Sequence, residues 1–592
     1  MKQFFKQMLA VFLALTLLAA LCALTLAAVL SSGGGGPEVH DDALLVLDLQ
    51  TPIGDKPQSG DLGAKVRDTI RGRDVETIPL RTVLEAIDHA ATDDRVKGIY
   101  ITGGVNAVNR ASGWATMREV RAALLRFRDS GKPVIAYNEN YNERTYYIAS
   151  AAKKMYINPF GLLEMNGFAA ELLFYGEAFE KYGVDVQVTR VGKYKSAVEP
   201  FTRKGMSDEN REQIERLLND LFTTCKAEVA ETRGIEPAVL DELSAGEGFI
   251  LGNGAVEQKL MDEAAHYDVV LDALRDLTRT DKGEKIEGKI DIAEYHEAIA
   301  ESLKTAPHKI AVIYAEGTIV DGNNERDAGG NTVARLLRRA REDEDVKAVV
   351  LRVNSPGGSA QASEIILREV EMIKEEKPMV ISMGSVAASG GYWISSRAHE
   401  IWAQPNTITG SIGVFGIFPN IQSLMNEHGV HADTARTNQH ADIFSIYRPK
   451  NEAELAVMQQ MVDFIYDGFL DRVSDGRGMA REQVHEIAQG RVWSGVQAKE
   501  LGLVDKLGGL GDAVASAASR AAVEDYQMIE YQDPKSLQDK ILEQLGLDGQ
   551  AVAPVGPVTR GMDTLMEARQ VLDRYNDPKG VYASMPFSLD ID

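Results

Sequence analysis

Ser389 is a candidate nucleophile because of what stands on either side of it. It follows the apolar residues 379–381 through a short loop rich in Gly and Ala, and it precedes an aromatic helical segment at 392–394. This order predicts a hydroxyl at a helix amino terminus, where the backbone N–H of Gly390 points at a developing oxyanion. The simpler interpretation is that Ser389 only caps the helix, as serine often does.

A second turn offers another oxyanion donor. Residues 354–359 read Asn-Ser-Pro-Gly-Gly-Ser and lie between an apolar strand and a helix. The adjacent glycines, Gly357 and Gly358, expose backbone N–H groups that can bind an oxyanion. A tight strand-to-helix turn is the simpler interpretation of the same residues.

A serine needs a base to take its proton, and lysine is the kind of base that the sequence offers. None of the ten histidines stands in a recognisable triad or metal arrangement, and His428 and His431 are typical of a solvated surface. Desolvation can lower a lysine pKa by about 3–5 units in a fully buried site. The stretch 191–200 contains two candidates, Lys193 and Lys195, and the local residues do not decide between them. Surface charge is the alternative for either lysine.

An internal repeat relates these residues to each other. A shift of 246 positions lays Tyr-Tyr-Ile at 146–148 on Tyr-Trp-Ile at 392–394, with Glu143 on Ser389 and Lys195 on Ala441. Each copy therefore keeps a different reactive side chain. This pattern predicts one catalytic pair that is assembled from two related domains.

Both halves follow the same alternation of strands and helices. Buried strands at 44–49 and 310–314 open the halves, strands that begin Val-Lys start at 96 and 346, and further strands follow Lys-Pro at 132 and 377. Strands that alternate with helices are typical of parallel α/β layers. We expect the join between the halves within 264–309 and a partly ordered tail after residue 531.

The amino terminus predicts a membrane anchor. Residues 7–30 carry no charge, and a helix of that length, at roughly 1.5 Å per residue, crosses a bilayer. Lys2 and Lys6 precede the span, so the positive-inside rule places the body of the chain on the far side of the membrane. Cys22 is interpreted as an apolar residue of the span, and Ser-Ser-Gly-Gly-Gly-Gly at 31–36 as a flexible linker.

Length and charge limit the number of domains and the classes of partner. A chain of 592 residues is too long for one core and fits two or three domains. The net charge of −24 argues against a nucleic-acid partner, and no Walker A sequence is present for ATP-driven work. Cys225 has no soluble partner cysteine, so the sequence neither requires nor contradicts an oxidising compartment.

Taken together, these features resemble the signal peptide peptidase A (protease IV) family in its long, tandem-domain form. The resemblance rests on the apolar amino terminus, on Tyr-Lys-Ser-Ala-Val-Glu-Pro-Phe at 194–201, on 352–359, on 387–394, and on Thr-Gly-Ser-Ile-Gly at 409–413. It implies a catalytic dyad of Ser389 and Lys195, rather than Lys193. It also implies oxyanion donors at Gly357 and Gly390, and Ser411 as the serine that orients the lysine.

The resemblance also implies an architecture. The expected fold is α/β, with tandem duplicated Clp protease/crotonase-like domains after one amino-terminal transmembrane helix. The expected parts are a cytoplasmic tip at 1–6, the anchor at 7–30, a linker at 31–43, a domain supplying the lysine at 44–280, a connector at 281–308, a domain supplying the serine at 309–530, and a tail at 531–592.

A location, a partner and a substrate follow from the same resemblance. It implies a single-pass protein of the bacterial inner membrane with its body in the periplasm, assembled as a homotetramer. The implied substrates are remnant signal peptides and other apolar peptides, cut within their apolar stretch. No metal, cofactor or nucleic acid is expected. The apolar run 413–418 suits the wall of a substrate groove, or alternatively is a buried strand.

Two other functions remain as alternatives. An acyl-thioester enzyme of the hydratase type can use the same paired glycines to polarise a thioester carbonyl, and it predicts carboxylates near Gly357. A non-catalytic membrane scaffold keeps the fold for assembly alone. The repeat adds a hypothesis about interfaces: one interface joins Lys195 to Ser389 and is active, while the other joins Glu143 to Ala441 between chains and is inactive.

Overall fold

The computed structural model describes residues 37–56, 77–103, 112–303, 305–324, 327–531 and 581–585. The predicted cytoplasmic tip at 1–6, the anchor at 7–30, which includes Cys22, and the linker residues up to 36 lie outside the described residues. Residues 532–580 and 586–592 of the expected tail lie outside them as well. Within the described ranges, no helix is both long and apolar enough to cross a membrane.

The first half contains eleven strands and ten helices within the described residues. The strands are β1 (Ala43–Asp48), β2 (Ile53–Gly54), β3 (Ile78–Pro79), β4 (Val96–Thr102), β5 (Val134–Asn138), β6 (Lys154–Ile157), β7 (Leu162–Glu164), β8 (Asp185–Val191), β9 (Phe249–Leu251), β10 (Glu263–Ala264) and β11 (Lys289–Asp291). The helices are α1 (Leu80–Ala90), α2 (Trp114–Asp129), α3 (Glu143–Ala149), α4 (Gly176–Lys181), α5 (Glu199–Thr202), α6 (Asp208–Arg233), α7 (Pro237–Ala245), α8 (Gly252–Glu257), α9 (Tyr267–Leu277) and α10 (Ile292–Ala298).

The second half repeats this alternation. Its strands are β12 (His308–Glu316), β13 (Ile319–Val320), β14 (Ala328–Gly329), β15 (Val346–Ser355), β16 (Gly357–Ser359), β17 (Met379–Ala388), β18 (Glu400–Ala403), β19 (Ile408–Gly410), β20 (Val414–Asn420), β21 (Val492–Ser494), β22 (Lys506–Leu507), β23 (Tyr526–Glu530) and β24 (Val581–Ser584). Its helices are α11 (Gly330–Glu342), α12 (Ala360–Glu376), α13 (Gly390–Ser395), α14 (Gln422–Glu427), α15 (Glu452–Arg477), α16 (Arg481–Ile487), α17 (Gly495–Glu500) and α18 (Leu510–Arg520).

Each half has its own central sheet. The first sheet has the order β10-β6-β5-β4-β1-β11 and is parallel throughout. The second has the order β21-β19-β17-β15-β12-β23, and only β21 in this order runs antiparallel. Central strands such as β4 and β15 are buried along nearly their whole length, as parallel strands covered on both faces require. The predicted α/β architecture with two related halves is confirmed.

The repeat extends to individual hydrogen bonds. The Tyr146 hydroxyl donates to the Leu260 carbonyl at 3.0 Å, and the Tyr392 hydroxyl donates to the Leu503 carbonyl at 2.8 Å. These buried contacts fix α3 and α13 in the same way within their halves. Two carboxylates accept equivalent strand amides: Asp262 accepts from Met155 at 2.7 Å, and Asp505 accepts from Ile401 at 2.8 Å.

A third sheet joins the two halves, in the order β14-β13-β16-β24-β20-β8. Strand β8, from the first half, pairs antiparallel with β20 of the second half over seven positions, from Asp185 opposite Asn420 to Val191 opposite Val414. Lys195 follows β8 by four residues, so this pairing carries the loop that contains Lys195 into the second half.

A buried ion cluster also ties the halves together. The Arg352 guanidinium, on β15, lies 2.7 Å from the Asp55 carboxylate and 2.7 Å from the Glu119 carboxylate, and both partners come from the first half. The second Glu119 oxygen accepts the backbone N–H of Leu510 at 2.7 Å. All three charged side chains are buried, so each depends on the others for charge compensation.

Two of the expected segments need correction. Residues 281–308 are not only a connector, because β11 pairs with β1 and covers the edge that β1 would otherwise expose. Helix α10 then buries Ile292 and Tyr295 in the core of the first half. The expected tail also contributes to the fold, because β24 lies inside the third sheet, between β16 and β20.

Candidate active site

Ser389, Lys195 and Ser411 meet in one buried cluster. The Lys195 Nζ lies 2.8 Å from the Ser389 Oγ, 3.0 Å from the Ser411 Oγ and 3.0 Å from the Ser411 carbonyl oxygen. All three residues have no solvent-exposed surface. The first half therefore supplies the amine of the cluster, and the second half supplies both hydroxyls.

The backbone around Lys195 is held on both sides. The Tyr194 N–H donates to the Gln489 carbonyl at 3.0 Å, and the Gln213 side-chain amide, on α6, donates to the Tyr194 carbonyl at 3.0 Å. Lys193, by contrast, is exposed, and its Nζ lies 4.9 Å from the centroid of the Tyr194 ring. The structure thus separates the two lysines of the motif: Lys195 faces Ser389, and Lys193 faces solvent.

Burial favours the neutral form of the Lys195 amine. Desolvation lowers the pKa of Lys195 well below its ordinary value. A neutral amine has two N–H donors and one lone pair. The Ser411 carbonyl can only accept and the Ser411 hydroxyl can also accept, so both N–H groups can point at Ser411. The lone pair then faces the Ser389 hydroxyl, which is the geometry that a general base needs.

Ser389 has a strained backbone at the junction between β17 and α13. Its φ of 55° and ψ of −113° lie in a region that residues other than glycine rarely adopt. The Ser389 N–H donates to the Gly410 carbonyl at 2.8 Å, which helps to hold this conformation. The side chain makes no capping hydrogen bond to α13. The interpretation of Ser389 as a simple helix cap is therefore wrong.

The two glycines predicted as oxyanion donors lie next to each other. A Cβ atom built on Gly357 would stand 2.6 Å from the Gly390 backbone nitrogen, and Gly357 itself has a φ of +97°. Both observations explain why a side chain cannot replace the hydrogen at this position. The Gly357 N–H donates to the Ser355 Oγ at 3.1 Å, so a bound oxyanion has to share or displace that hydroxyl.

Three residues that no local motif places beside Lys195 also shape the site. Gly490 has a φ of +80°, and a Cβ atom on it would lie 2.6 Å from the Lys195 Cβ. A Cβ on Gly413 would lie 3.2 Å from the Lys195 Cδ. The two glycines pack against Lys195, and Gln213 holds the Tyr194 carbonyl that precedes it. They come from segments far from Lys195 in sequence, so only the packing of the two halves reveals them.

Glu143 and Ala441, which the repeat aligns with Ser389 and Lys195, have different surroundings from those two residues. Glu143 begins α3, and its carboxylate accepts the Gly167 N–H at 2.6 Å. Ala441 is exposed, next to the fully exposed stretch 431–440. Among the four repeat-related positions, Lys195 and Ser389 are the pair that places a base beside a hydroxyl within one chain.

Most of the chain matches known protein families. Residues 126–281 and 371–524 match the model for peptidase family S49, and residues 304–407 match the Clp protease model. The chain is 35% identical over 94% of its length to Protease 4 of Haemophilus influenzae, covering 94% of that protein, and 36% identical over 93% of its length to Protease 4 of Salmonella typhi, covering 91% of it.

More distant proteins match as well. The chain is 28% identical to the chloroplastic serine protease SPPA of Arabidopsis thaliana, over 88% of this chain and 76% of that one. A ClpP1 mutant from Listeria monocytogenes aligns with 34% of this chain and 94% of its own, at 17% identity and a TM-score of 0.24. From the two matches to its model and the near full-length relatives, the chain belongs to peptidase family S49, as a tandem-domain serine protease of the signal peptide peptidase A family.

Proposed function

We propose that this serine protease is a membrane-anchored endopeptidase that uses Ser389 as nucleophile and Lys195 as general base to degrade remnant signal peptides. The observation that carries the proposal is the 2.8 Å contact between the Lys195 Nζ and the Ser389 Oγ in a fully buried setting. Burial favours the neutral form of a lysine, which can accept a proton, whereas an exposed lysine is protonated and cannot.

The proposed reaction follows the usual two steps of acyl transfer. The Ser389 Oγ attacks the peptide carbonyl while its proton passes to the Lys195 Nζ, and the N–H groups of Gly357 and Gly390 stabilise the oxyanion. Lys195 then gives the proton to the leaving amine, and the C–N bond breaks. A water molecule, deprotonated by Lys195, then attacks the ester carbonyl, and Lys195 returns the proton to the Ser389 Oγ as the C–O bond breaks. Ser411 holds the amine in place during both steps.

The acyl-thioester alternative is less well supported by the same geometry. It needs carboxylates beside the paired glycines. The atoms nearest to a Cβ on Gly357 belong to Ala583, Gly390 and Ala388, and none of them is a carboxylate. A serine in contact with a neutral amine instead favours hydrolysis through an acyl-enzyme.

The proposed substrate is an extended apolar peptide. β16 and β20 present their edges on either side of a one-strand gap in the third sheet, and β24 fills this gap. A peptide that adds a strand here gains backbone hydrogen bonds on both sides. Val414 and Phe415 of β20 are fully buried. The run 413–418 is thus mainly a buried strand, and its edge that pairs with β24 is proposed as the groove wall. Signal peptides fit this groove because their apolar stretch can be drawn out as a strand.

Location remains part of the proposal. The charge-free residues 7–30, with Lys2 and Lys6 before them, support an anchor in the bacterial inner membrane with the protease on the periplasmic side. This arrangement would keep the active site close to peptides left in the bilayer. Fractionation of cells that express the chain tests it: the protease should stay with the inner membrane and be digested by a protease added to the periplasm.

The homotetramer is proposed from the family resemblance, and the repeat supports a ring-shaped assembly. The shift of 246 residues relates β8 to residues 431–437 and β20 to residues 168–174. Neither stretch forms a strand in the single chain, and residues 431–440 are all exposed. If the β8–β20 pairing recurs between chains, these two stretches pair and generate a closed ring. Size measurement by light scattering tests the ring: four copies are expected, and a monomer at micromolar concentration contradicts it.

The proposed activity is tested with the full-length protein in proteoliposomes. A synthetic signal peptide should be cut within its apolar stretch, as mapped by mass spectrometry. A peptide of the same length with its apolar residues replaced by Ser and Gln serves as control and should stay intact. Ser389→Ala should lose about 10³-fold or more of the rate. Equal cutting by Ser389→Ala, or preference for the polar peptide, contradicts the proposal.

A further inference from the structure

A cavity at one edge of the first sheet carries an excess of positive charge. It has a volume of about 700 Å³ and lies beside the residues that precede β5, β6 and β10. Two acidic residues, Asp129 and Asp262, belong to its walls. The walls also contain five cationic residues, which are Arg128, Lys132, Lys153, Arg233 and Lys259. This local excess contrasts with the net charge of −24 for the whole chain.

The cavity contains donors and charges that the protein itself does not compensate. Lys153 and Lys259 are exposed, and their amines have no ion-pair partner among the described residues. The Arg233 side chain is 7% exposed, and its two terminal nitrogens lie 2.9 and 3.2 Å from the Asp262 carboxylate. The Arg233 Nε is buried and has no hydrogen-bond partner in the same part of the chain. A guanidinium suits phosphate in particular, because its planar donors match two oxygens at once.

The repeat provides a comparison for Arg233 in the second half. Helices α6 and α15 both contain 26 residues and end before a left-handed glycine, so Arg477 is the counterpart of Arg233. Arg477 also binds a carboxylate, that of Asp505, but its Nε donates to the Gly502 carbonyl at 3.0 Å. The second half therefore satisfies the donor that the first half leaves without a partner.

The charges of the two cavities differ as well. The second-half cavity is lined by equal numbers of cationic and acidic residues, which are Arg368, Lys374, Arg397, Glu371, Glu375 and Asp475. Lys259 adds to the difference, because it stands where the second half has Gly502. Lys259 has a φ of 61° and Gly502 a φ of 78°, a conformation that favours glycine. The lysine thus strains the backbone but adds a cation to the first-half cavity.

The cavity lies at the edge of the sheet where the chain arrives from the proposed anchor. β1, β4, β5, β6 and β10 are parallel, so their amino ends share one edge. Twelve residues, 31–42, join the apolar run to β1, and they reach at most about 40 Å. β6 is three strand spacings from β1, each about 4.8 Å. Nearer to β1 the cations are paired, as Lys97 is with Asp42 at 3.2 Å.

We propose that this cavity binds the phosphate of an anionic phospholipid head group and holds the first half of the protease against the bilayer. The inference rests on the membrane anchor of the proposed function. Lys153 and Lys259 attract the phosphate at the mouth of the cavity, and Arg233 lies in its wall. The volume suits a small head group, and basic residues near an anionic membrane surface strengthen binding.

Native mass spectrometry of the full-length protein in an uncharged detergent tests the inference. The protein is titrated with phosphatidylglycerol, with phosphatidylcholine of the same chain length, and with inorganic phosphate. Phosphatidylglycerol should bind at least 20-fold more tightly than phosphatidylcholine, whose choline cation is repelled. The double variant Lys153→Glu/Lys259→Glu should lower the affinity for phosphatidylglycerol about 20-fold or more, because each basic residue contributes about 5-fold.

Two further variants separate the site from net charge and from folding. Lys181→Glu/Lys499→Glu makes the same change of charge at exposed lysines outside the cavity and should leave binding unchanged. Lys259→Gly removes one amine and relieves the left-handed backbone, so thermal unfolding should show no loss of stability while the affinity falls about 5-fold. An equal loss in the Lys181→Glu/Lys499→Glu variant would show that net charge alone governs binding and would overturn the inference.

Hydrolysis of the synthetic signal peptide, measured on the same samples, separates this inference from the protease function. Equal binding of phosphatidylglycerol by wild type and Lys153→Glu/Lys259→Glu, with normal hydrolysis, overturns the lipid site and leaves the protease function standing. Selective lipid binding by a wild-type protein that does not hydrolyse the peptide has the opposite meaning. If inorganic phosphate binds tightly and phosphatidylglycerol does not compete with it, the cavity is a site for a soluble anion and the lipid assignment is wrong.

Discussion

The Lys195 amine and the Ser389 hydroxyl are 2.8 Å apart, although 194 residues separate them in the chain. The antiparallel pairing of β8 with β20 produces this contact, because it carries the loop after Val191 across to the second half. One chain therefore contains both members of the proposed dyad. The repeat explains the arrangement: each half keeps one of the two reactive side chains.

Mixing two inactive variants should not restore activity. Ser389→Ala chains and Lys195→Ala chains each lack one member of a pair that forms within a single chain, so a mixed assembly contains no complete pair. The measurement is peptide hydrolysis after the two variants are co-expressed and purified together through different tags. The control is co-expression of the wild-type chain with a chain that carries both Ser389→Ala and Lys195→Ala. Its activity should be proportional to the fraction of wild-type chains. Recovery to a large fraction of the control would contradict pairing within one chain.

Activity should depend on the protonation of Lys195. Burial lowers the pKa of this amine well below its ordinary value, so the ammonium form, which cannot accept a proton, dominates only below that lowered pKa. The value of kcat/KM should therefore rise with pH through the lowered pKa and reach a plateau well before pH ~10.4, the ordinary lysine value. Lys195→Arg should be inactive throughout, because a guanidinium stays protonated.

Lys193→Ala is the matched control for this pH profile. Lys193 belongs to the same motif but is exposed, so its removal should leave both the plateau and the midpoint unchanged. A profile that still rises near pH ~10.4 in the wild type would show that the base has an ordinary lysine pKa. That result would contradict a desolvated Lys195 as the base.

Gly490→Ala should impair catalysis by displacing Lys195. The new Cβ would lie 2.6 Å from the Lys195 Cβ and backbone nitrogen, so the lysine backbone has to move. A displacement of about 1 Å can lower kcat about 10²-fold. Gly502→Ala is the control, because Gly502 has a nearly identical φ of +78° but its nearest contact is the Met479 sulfur at 3.9 Å. Equal effects of both substitutions on kcat would show that backbone strain, and not the lysine contact, is responsible.

Arg352→Met should destabilise the junction between the halves. It leaves the Asp55 and Glu119 carboxylates buried without their cation, which typically costs about 3–5 kcal/mol. Arg368→Met is the control, because the Arg368 side chain is 60% exposed and its pair with Glu371 contributes about 0–1 kcal/mol. Denaturant unfolding of the two full-length variants measures the difference. Losses of the same size would show that the buried cluster does not hold the halves together.

Local patterns in the sequence predicted much of the fold. The strands that begin Val-Lys and those that follow Lys-Pro are present in both halves, because their apolar runs are long and their boundaries are marked by polar residues. The strand within the expected connector at 281–308 was not predicted. β11 has only three residues, and its identity as a strand comes from pairing with β1 rather than from its own sequence.

The candidate site was predictable only in part. Ser389 and Gly357 stand in glycine-rich junctions between strands and helices, which is a signal that a single sequence carries. The choice of Lys195 over Lys193 required the family resemblance, because burial depends on how the two halves pack. Gly490 and Gln213 touch the lysine loop from distant segments, and no local pattern marks them. The pairing of β24 beside Gly357 was likewise missed, because the tail has no strong strand pattern.

Covalent labelling of Ser389 tests the central claim most directly. A fluorophosphonate probe reacts with a serine whose hydroxyl is activated by a base, and mass spectrometry of the digested protein identifies the labelled residue. The wild-type protein should be labelled at Ser389, and Lys195→Ala should lower the labelling rate about 10³-fold or more, while Lys193→Ala leaves it unchanged. Absence of label on Ser389 in the wild type, or an equal rate in Lys195→Ala, would contradict a dyad of Ser389 and Lys195.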